Sequence, residues 1–143
     1  MPSEGEPDFP AWKAAILEEL DELDDSAILI GHSIGGTFLI HALAGQQPKR
    51  KWNAILLLSA PYLGAGGWPA DGTDPAADLS QELRADVAVL LYHGGADDEV
   101  PPRHMNLYAK AIPHATTHVL ADRDHQLNND LREVARDTRE LAR

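Results

Sequence analysis

The sequence predicts an α/β fold: a three-layer α/β/α sandwich around a mostly parallel sheet. Short apolar runs alternate along the chain with segments of helical periodicity, which is the pattern of repeated β-α units. The strand-like runs are almost wholly apolar, as expected of parallel strands that are covered on both faces. The length of 143 residues suits one domain with one core, so residues 1–143 are predicted to form a single domain.

The periodicity places strands at residues 27–30, 54–58, 87–92 and 116–120. Helices are predicted from Pro10 to Leu23, over 37–44 with Gly45 just beyond the end, from the Pro101-Pro102 pair to about residue 111, and over about 128–142. A turn at 31–36 joins the first strand to the second helix. Residues 60–80 are rich in Pro, Gly, Ala and Asp, which favours a long loop that serves as a lid or pocket wall.

The composition excludes several classes of partner. The chain carries 23 acidic and 12 basic side chains, a net charge of −11, so it should repel nucleic acid and anionic membranes. Nine of the acids lie within residues 1–25, which we interpret as a solvated acidic segment. No apolar run approaches the ~20 residues that span a bilayer. Cysteine is absent, which excludes disulfides and thiolate metal sites and predicts a cytoplasmic protein.

A Gly-x-Ser-x-Gly motif lies between the first strand and the second helix, at residues 31–35. In this context the motif predicts a sharp turn that lifts the Ser33 hydroxyl above the sheet as a nucleophile. Gly31 and Gly35 are expected to remove Cβ atoms that would collide where strand and helix meet. The Ile34 N–H lies where it can donate to an oxyanion. His32 is expected to shape the turn or the substrate pocket.

A serine nucleophile needs a base and an orienting acid, and two later loops offer both. Residues 93–101 follow the third strand and contain the candidates Asp97, Asp98 and Glu99. Residues 122–127 follow the fourth strand and contain His125, the candidate base. Both loops come after the carboxyl ends of parallel strands, where α/β sheets place their sites.

The remaining histidines are assigned other roles. His93, at the end of a strand, is expected to make structural hydrogen bonds, and His104, at the start of a helix, to be solvated. His114 and His118 are four apart, but a strand intervenes, so they do not share a helical face. No metal-ligand motif is present, and no metal is predicted.

The motifs G-H-S-x-G-G, H-G-x-x-D-x-x-V-P and D-H, in this order, resemble the α/β-hydrolase superfamily. The chain is similar to the small serine hydrolases related to the retinoblastoma-binding hydrolase. The resemblance implies Asp97 as the acid, with Asp98 as second choice. It also implies hydrolysis of small carboxylic esters through an acyl-serine intermediate formed by Ser33, Asp97 and His125, with no cofactor.

The sequence departs from this family at its start. The resemblance implies an N-terminal strand whose following loop supplies a second oxyanion donor, and no such strand precedes the Trp12 helix. The sequence therefore predicts a hydrolase core without its first β-α-β unit. An apolar strand edge between Ala27 and Ile30 would be exposed and could be buried in a homodimer. The alternative function is a catalytically weak or inactive binding protein on this scaffold.

Two aromatic residues of the long loop, Tyr62 and Trp68, follow the second strand. They would either line the acyl or alcohol pocket or cap the edge of the core, and the sequence supports both interpretations equally.

Overall fold

The computed structural model describes residues 1–44, 51–70 and 78–143. Four parallel strands form one sheet in the order β1-β2-β3-β4: Ile28–His32, Ala54–Leu58, Ala88–Gly94 and Thr116–Leu120. The helices are α1 Phe9–Glu22, α2 Ser33–Leu43, α3 Leu79–Glu82, α4 Arg103–Ala111 and α5 Arg132–Leu141. The predicted α/β class with a parallel sheet is confirmed.

Helices pack on both faces of the sheet. On one face α1, α2 and α4 bury the larger apolar cluster, in which Trp12 of α1 meets Phe38 of α2 edge-on, with ring centroids 5.3 Å apart. On the other face α5 packs over β2 and β3. Here the buried Tyr92 hydroxyl donates to Asp137 of α5 over 2.7 Å. Burial and this carboxylate raise the pKa of Tyr92, so the phenol keeps its proton and the bond to α5.

The first helix begins where its cap allows. The Asp8 side chain accepts from the Ala11 N–H, so α1 starts at Phe9, one residue before the predicted Pro10. Leu23, the last residue of the predicted helix, is the C-terminal cap and is 38% exposed. The eight residues before α1 contain turns and no strand.

The junction between β1 and α2 is much shorter than the predicted turn at 31–36. The strand continues through Gly31 to His32, and α2 starts at Ser33 rather than at Thr37. The hydrophobic periodicity predicts a loop at these glycines, because glycine adds no apolar side chain to the pattern. The chain in fact passes from strand to helix without an intervening loop residue.

Two other predicted boundaries differ. Part of the 60–80 loop is built: Leu63 forms a β-bridge with Trp68, and α3 begins at Leu79. The predicted last helix starts four residues late, because Leu127, Asn128 and Asn129 have φ near +55° and form a left-handed turn. Gly45, predicted to end α2, and residues 71–77 of the loop lie outside the described residues.

The β1 strand lies at one edge of the sheet. Within the described ranges it pairs with β2 alone. Leu29 is buried, but Ile30 on the opposite face is 49% exposed, whereas Ile28 on the same face packs against the second apolar cluster. The prediction that β1 is covered on both faces is therefore wrong at Ile30. None of the helices in the described part of the chain is long and apolar enough to cross a membrane.

We predict that a second copy of the chain covers this edge, because unpaired strand groups and a half-exposed isoleucine favour edge-to-edge association. Ile30→Lys should then shift the protein from dimer to monomer in sedimentation velocity at micromolar concentration. Leu131→Lys is the matched control, since Leu131 is 46% exposed but precedes α5. A wild-type chain that sediments as a monomer under these conditions would contradict the prediction.

Candidate active site

Ser33 lies at the junction between β1 and α2. Its backbone has φ +52°, in the left-handed region, which costs a residue with a side chain ~1–2 kcal/mol. Because it follows the carboxyl end of β1, its side chain stands at the edge where the loops after β3 and β4 also end. The predicted strained turn is therefore present, with the serine at its apex.

Two glycines make this turn sterically feasible. A Cβ on Gly31 would lie 2.5 Å from Gly36 Cα, and a Cβ on Gly36 would lie 2.7 Å from the Gly31 carbonyl oxygen. The expectation for Gly35 is wrong, because its Cβ would meet only the Trp12 ring at an ordinary 3.8 Å. Gly36, the residue directly after the Gly-x-Ser-x-Gly motif, provides the space instead. Because Gly36 lies outside the motif, the motif alone did not point to it.

The Asp97 carboxylate is buried and fully bonded. Its Oδ1 accepts from the N–H groups of Glu99 (3.0 Å) and Val100 (2.8 Å), which fixes the loop around the side chain. Its Oδ2 accepts from Nδ1 of His125 over 2.8 Å. Asp98, the second-choice acid, is exposed. The structure therefore brings Asp97, and not Asp98, onto His125.

His125 connects this acid to the serine. With its Nδ1–H donated to Asp97, the neutral ring leaves Nε2 as an acceptor for the Ser33 hydroxyl, 2.9 Å away. The histidine is 4% exposed, so its ring orientation is set by protein contacts rather than by water. The exposed carboxylate of Glu99, one of the three acids that the sequence offered in this loop, lies 3.9 Å from the same Nε2.

The loops that carry Asp97 and His125 are bonded directly to each other. The Gly95 N–H donates to the Leu120 carbonyl (2.9 Å), and the Ala96 N–H donates to the Arg123 carbonyl (3.0 Å). A Cβ on Gly94 would overlap the carbonyl oxygen of Arg123. The His93-Gly94-Gly95 run thus serves the contact between the two loops.

Two buried histidines lie beside the loop after β3, which carries Asp97. His93 donates its Nε2–H to the Val100 carbonyl over 2.7 Å, and the same nitrogen lies 3.3 Å from Asp97 Oδ2. This agrees with its predicted structural role. His104 is fully buried rather than solvated, and its Nδ1 accepts from the Tyr62 N–H over 2.9 Å. Burial lowers the pKa of both rings, so both are neutral near pH 7.

The comparison with known families gives a match that covers this site. The family model described as "Serine hydrolase" matches residues 3–126, which include Ser33, Asp97 and His125. The chain belongs to the serine hydrolase family. Its fold is that of the α/β hydrolases. A search of curated protein sequences finds no match.

Solved structures of an alpha/beta hydrolase domain protein, a thioesterase and an esterase share its fold. Mouse alpha/beta hydrolase domain-containing protein 10 is 20% identical, covers 97% of this chain and 71% of its own, and has a TM-score of 0.68. Acyl-protein thioesterase 2 of Zea mays is 17% identical over 100% of this chain and 70% of its own, with a TM-score of 0.67. Esterase PE8 is 20% identical over 93% of this chain, with a TM-score of 0.67. This chain spans 60% of the length of esterase PE8.

The other predicted site residues occupy different surroundings. The Ile34 N–H is in the first turn of α2, where N–H groups have no partner within the helix. His32 is half-buried, and its Nε2 contacts the His125 carbonyl rather than open space. Within the described ranges no group of three or more His, Asp or Glu residues could hold a metal ion.

The two aromatic residues of the 62–68 segment have different surroundings. Tyr62 is half-buried and packs edge-on against the buried Tyr108, with centroids 5.1 Å apart, which is a core contact. Trp68 is 37% exposed and stands edge-on to His104 at 5.9 Å. Arg103 holds the segment by donating to the Gly66 carbonyl. Trp68 therefore keeps a surface that a substrate could reach, whereas Tyr62 mainly supports it.

The glycine geometry makes a sharp prediction. Gly36→Ala should lower the unfolding free energy by several kcal/mol or abolish folding, because backbone atoms on β1 leave no space for a methyl group. Gly35→Ala, the matched control one residue away, should be neutral or slightly stabilising, since Ala is the better helix former. Urea denaturation of the two variants measures both effects. Equal destabilisation by both substitutions would contradict the assignment.

Proposed function

We propose that the chain hydrolyses small carboxylic esters, with Ser33, His125 and Asp97 acting as nucleophile, base and orienting acid. The observation that carries the proposal is the continuous hydrogen-bonded series from Ser33 Oγ to His125 Nε2 (2.9 Å) and from His125 Nδ1 to Asp97 (2.8 Å). This geometry activates a hydroxyl that is unreactive by itself at neutral pH.

In the proposed acylation step, Ser33 Oγ attacks the ester carbonyl carbon while its proton moves to His125 Nε2. The imidazolium that forms is stabilised by the Asp97 carboxylate on its other nitrogen. The tetrahedral intermediate then expels the alcohol oxygen, which takes the proton from Nε2. The product of this half-reaction is the free alcohol and an acyl ester on Ser33.

Deacylation repeats these steps with water as the nucleophile. His125 Nε2 accepts a proton from the attacking water and returns it to Ser33 Oγ as the carboxylic acid leaves. In both halves the Ile34 N–H, at the positive end of the α2 dipole, is placed to donate to the oxyanion. A second donor is usual for such sites, and each donor contributes about 10²–10³ in kcat.

The relatives give limited support for the substrate class. One is described as an esterase and another as an acyl-protein thioesterase, and both of these activities act on an acyl group bonded through oxygen or sulfur. The half-exposed ring of Trp68, on a segment held by α4, offers an apolar wall for such a group. We therefore assign a small, uncharged acyl ester as the substrate class and no cofactor.

The second candidate function is a binding protein with little or no activity on the same scaffold. The observation in its favour is that residues 1–8 contain turns and no strand, so they offer no strand-borne loop with a second oxyanion donor. Under this alternative the chain would react with a fluorophosphonate at Ser33 but would not turn over p-nitrophenyl acetate. Measurable turnover with a normal folded spectrum would exclude it.

The nucleophile is tested by Ser33→Ala, which should abolish fluorophosphonate labelling and lower kcat by on the order of 10⁴–10⁶. Ser59→Ala is the matched control, because Ser59 also follows a strand and also has a positive φ of 49°. The control should label normally. Persistent labelling of Ser33→Ala at wild-type stoichiometry would overturn the assignment of Ser33.

Glu99 should set the charge preference of the site, because its carboxylate lies 3.9 Å from the nitrogen that faces the serine. Glu99→Gln should raise kcat/KM for an anionic ester, mono-p-nitrophenyl glutarate, by about two- to fivefold relative to neutral p-nitrophenyl butyrate, the range expected of an exposed charge. Asp98→Asn, which removes an adjacent exposed charge, should change this ratio less. An unchanged ratio in Glu99→Gln would refute the prediction.

A further inference from the structure

The His125 residue is held at two points by consecutive residues of the β1–α2 junction. Its ring Nε2 contacts Ser33 Oγ over 2.9 Å, and its backbone carbonyl lies 2.9 Å from Nε2 of His32. The two histidine rings lie against each other with centroids 5.0 Å apart. One of these contacts therefore ends on the reactive hydroxyl and the other on a residue that the reaction leaves unchanged.

The chemistry of the His32 contact is fixed by its partner. A carbonyl oxygen can only accept, so His32 Nε2 carries the hydrogen and donates it. His32 itself cannot move far, because it is the last residue of β1 and is paired in the sheet with Leu58. The bond joins residues 93 positions apart. It connects the loop after β4, which carries His125, to the strand that precedes Ser33.

Within the described residues, the other hydrogen bonds of this loop lead to the loop after β3, toward α5 or back to the loop itself. Gly95 and Ala96 tie it to the loop after β3, and the Asp124 side chain accepts from the N–H groups of Gln126 and Asn128 within the loop itself. These bonds fix the distance between Asp97 and His125. In the part of the chain that the structure describes, the distance between His125 and the β1–α2 junction is set by the contacts of His125 with Ser33 and with His32.

The two contacts differ in when they exist. In the free enzyme both are present. In an acyl-enzyme Ser33 Oγ is an ester oxygen with no hydrogen to donate, so the Ser33–His125 bond is lost. The His32 bond involves only an imidazole N–H and a backbone carbonyl, neither of which changes during the reaction.

We propose that His32 is a positioning residue for deacylation: it holds His125 over the acyl-serine when the serine hydroxyl no longer does. The inference rests on the proposed ester hydrolysis by Ser33. It assigns His32 a role in the second half-reaction, in which His125 must receive a proton from water at the same position. A small displacement of a catalytic group can cost up to about 10²-fold in rate, which is the scale available to such a contact.

The test compares His32→Leu, which removes the donor, with His32→Gln, whose side-chain amide N–H can restore it. With p-nitrophenyl acetate, His32→Leu should lower kcat about tenfold or more. It should also show a pre-steady-state burst of about one equivalent of p-nitrophenol, because acylation becomes faster than deacylation. His32→Gln should recover most of the steady-state rate. Labelling of His32→Leu by a fluorophosphonate should stay within about threefold of wild type, since that reaction resembles acylation alone.

The outcomes are separable from those of the proposed function. If the wild type neither labels nor turns over ester, the function proposal fails before His32 is tested. If His32→Leu slows acylation and deacylation equally, or if His32→Gln behaves like His32→Leu, the positioning role is overturned. Thermal unfolding monitored by circular dichroism checks folding, and His32→Ala, which also removes the donor, carries the same kinetic test if His32→Leu does not fold.

Discussion

Between Gly31 and Gly36 the backbones of β1 and α2 touch, with no room for a side chain on either residue. Because of this contact the chain can turn from strand to helix at Ser33, which adopts φ +52°. The first turn of α2 is then directed at the carboxyl edge of the sheet, together with its unpaired N–H groups. Parallel topology brings the loops after β3 and β4 to the same edge, so the position of Ser33 determines where Asp97 and His125 must meet it.

The strain at Ser33 has to be offset by packing elsewhere. Helix α2 is almost completely buried after its first turn. The centroid of its Phe38 ring lies 5.2 Å from that of Phe9 and 5.3 Å from that of Trp12, both on α1. Burial of large apolar side chains contributes ~1.5–3 kcal/mol each, which exceeds the ~1–2 kcal/mol of one left-handed residue. The acidic α1 thus has a structural role on its inner face, while its charges lie on the outer face.

The sequence was sufficient for the class of fold and for the order of its elements, because parallel strands and buried helices leave strong apolar patterns. It was insufficient at Gly36, His104 and Asn128. Glycine contacts depend on the angle at which two backbones cross, which no residue pattern encodes. His104 lies at the start of a helix where exposure is usual, whereas its ring is buried beside Trp68 and accepts from the Tyr62 N–H. The left-handed turn around Asn128 breaks a helical pattern whose apolar spacing continues through it.

The hydrogen bonds around Asp97, in the loop after β3, restrict which groups can accept a proton. Asp97 accepts from two backbone N–H groups and from His125, so three donors hold the carboxylate in place, and His93 Nε2 lies 3.3 Å from it while donating to the Val100 carbonyl. His93 and His104 are buried rings whose lowered pKa values keep them uncharged. In the proposed mechanism, a proton taken from Ser33 therefore finds neutral imidazoles already bonded to carbonyl and amide partners. It would rest on His125, between the acid that stabilises it and the oxygen that must receive it back.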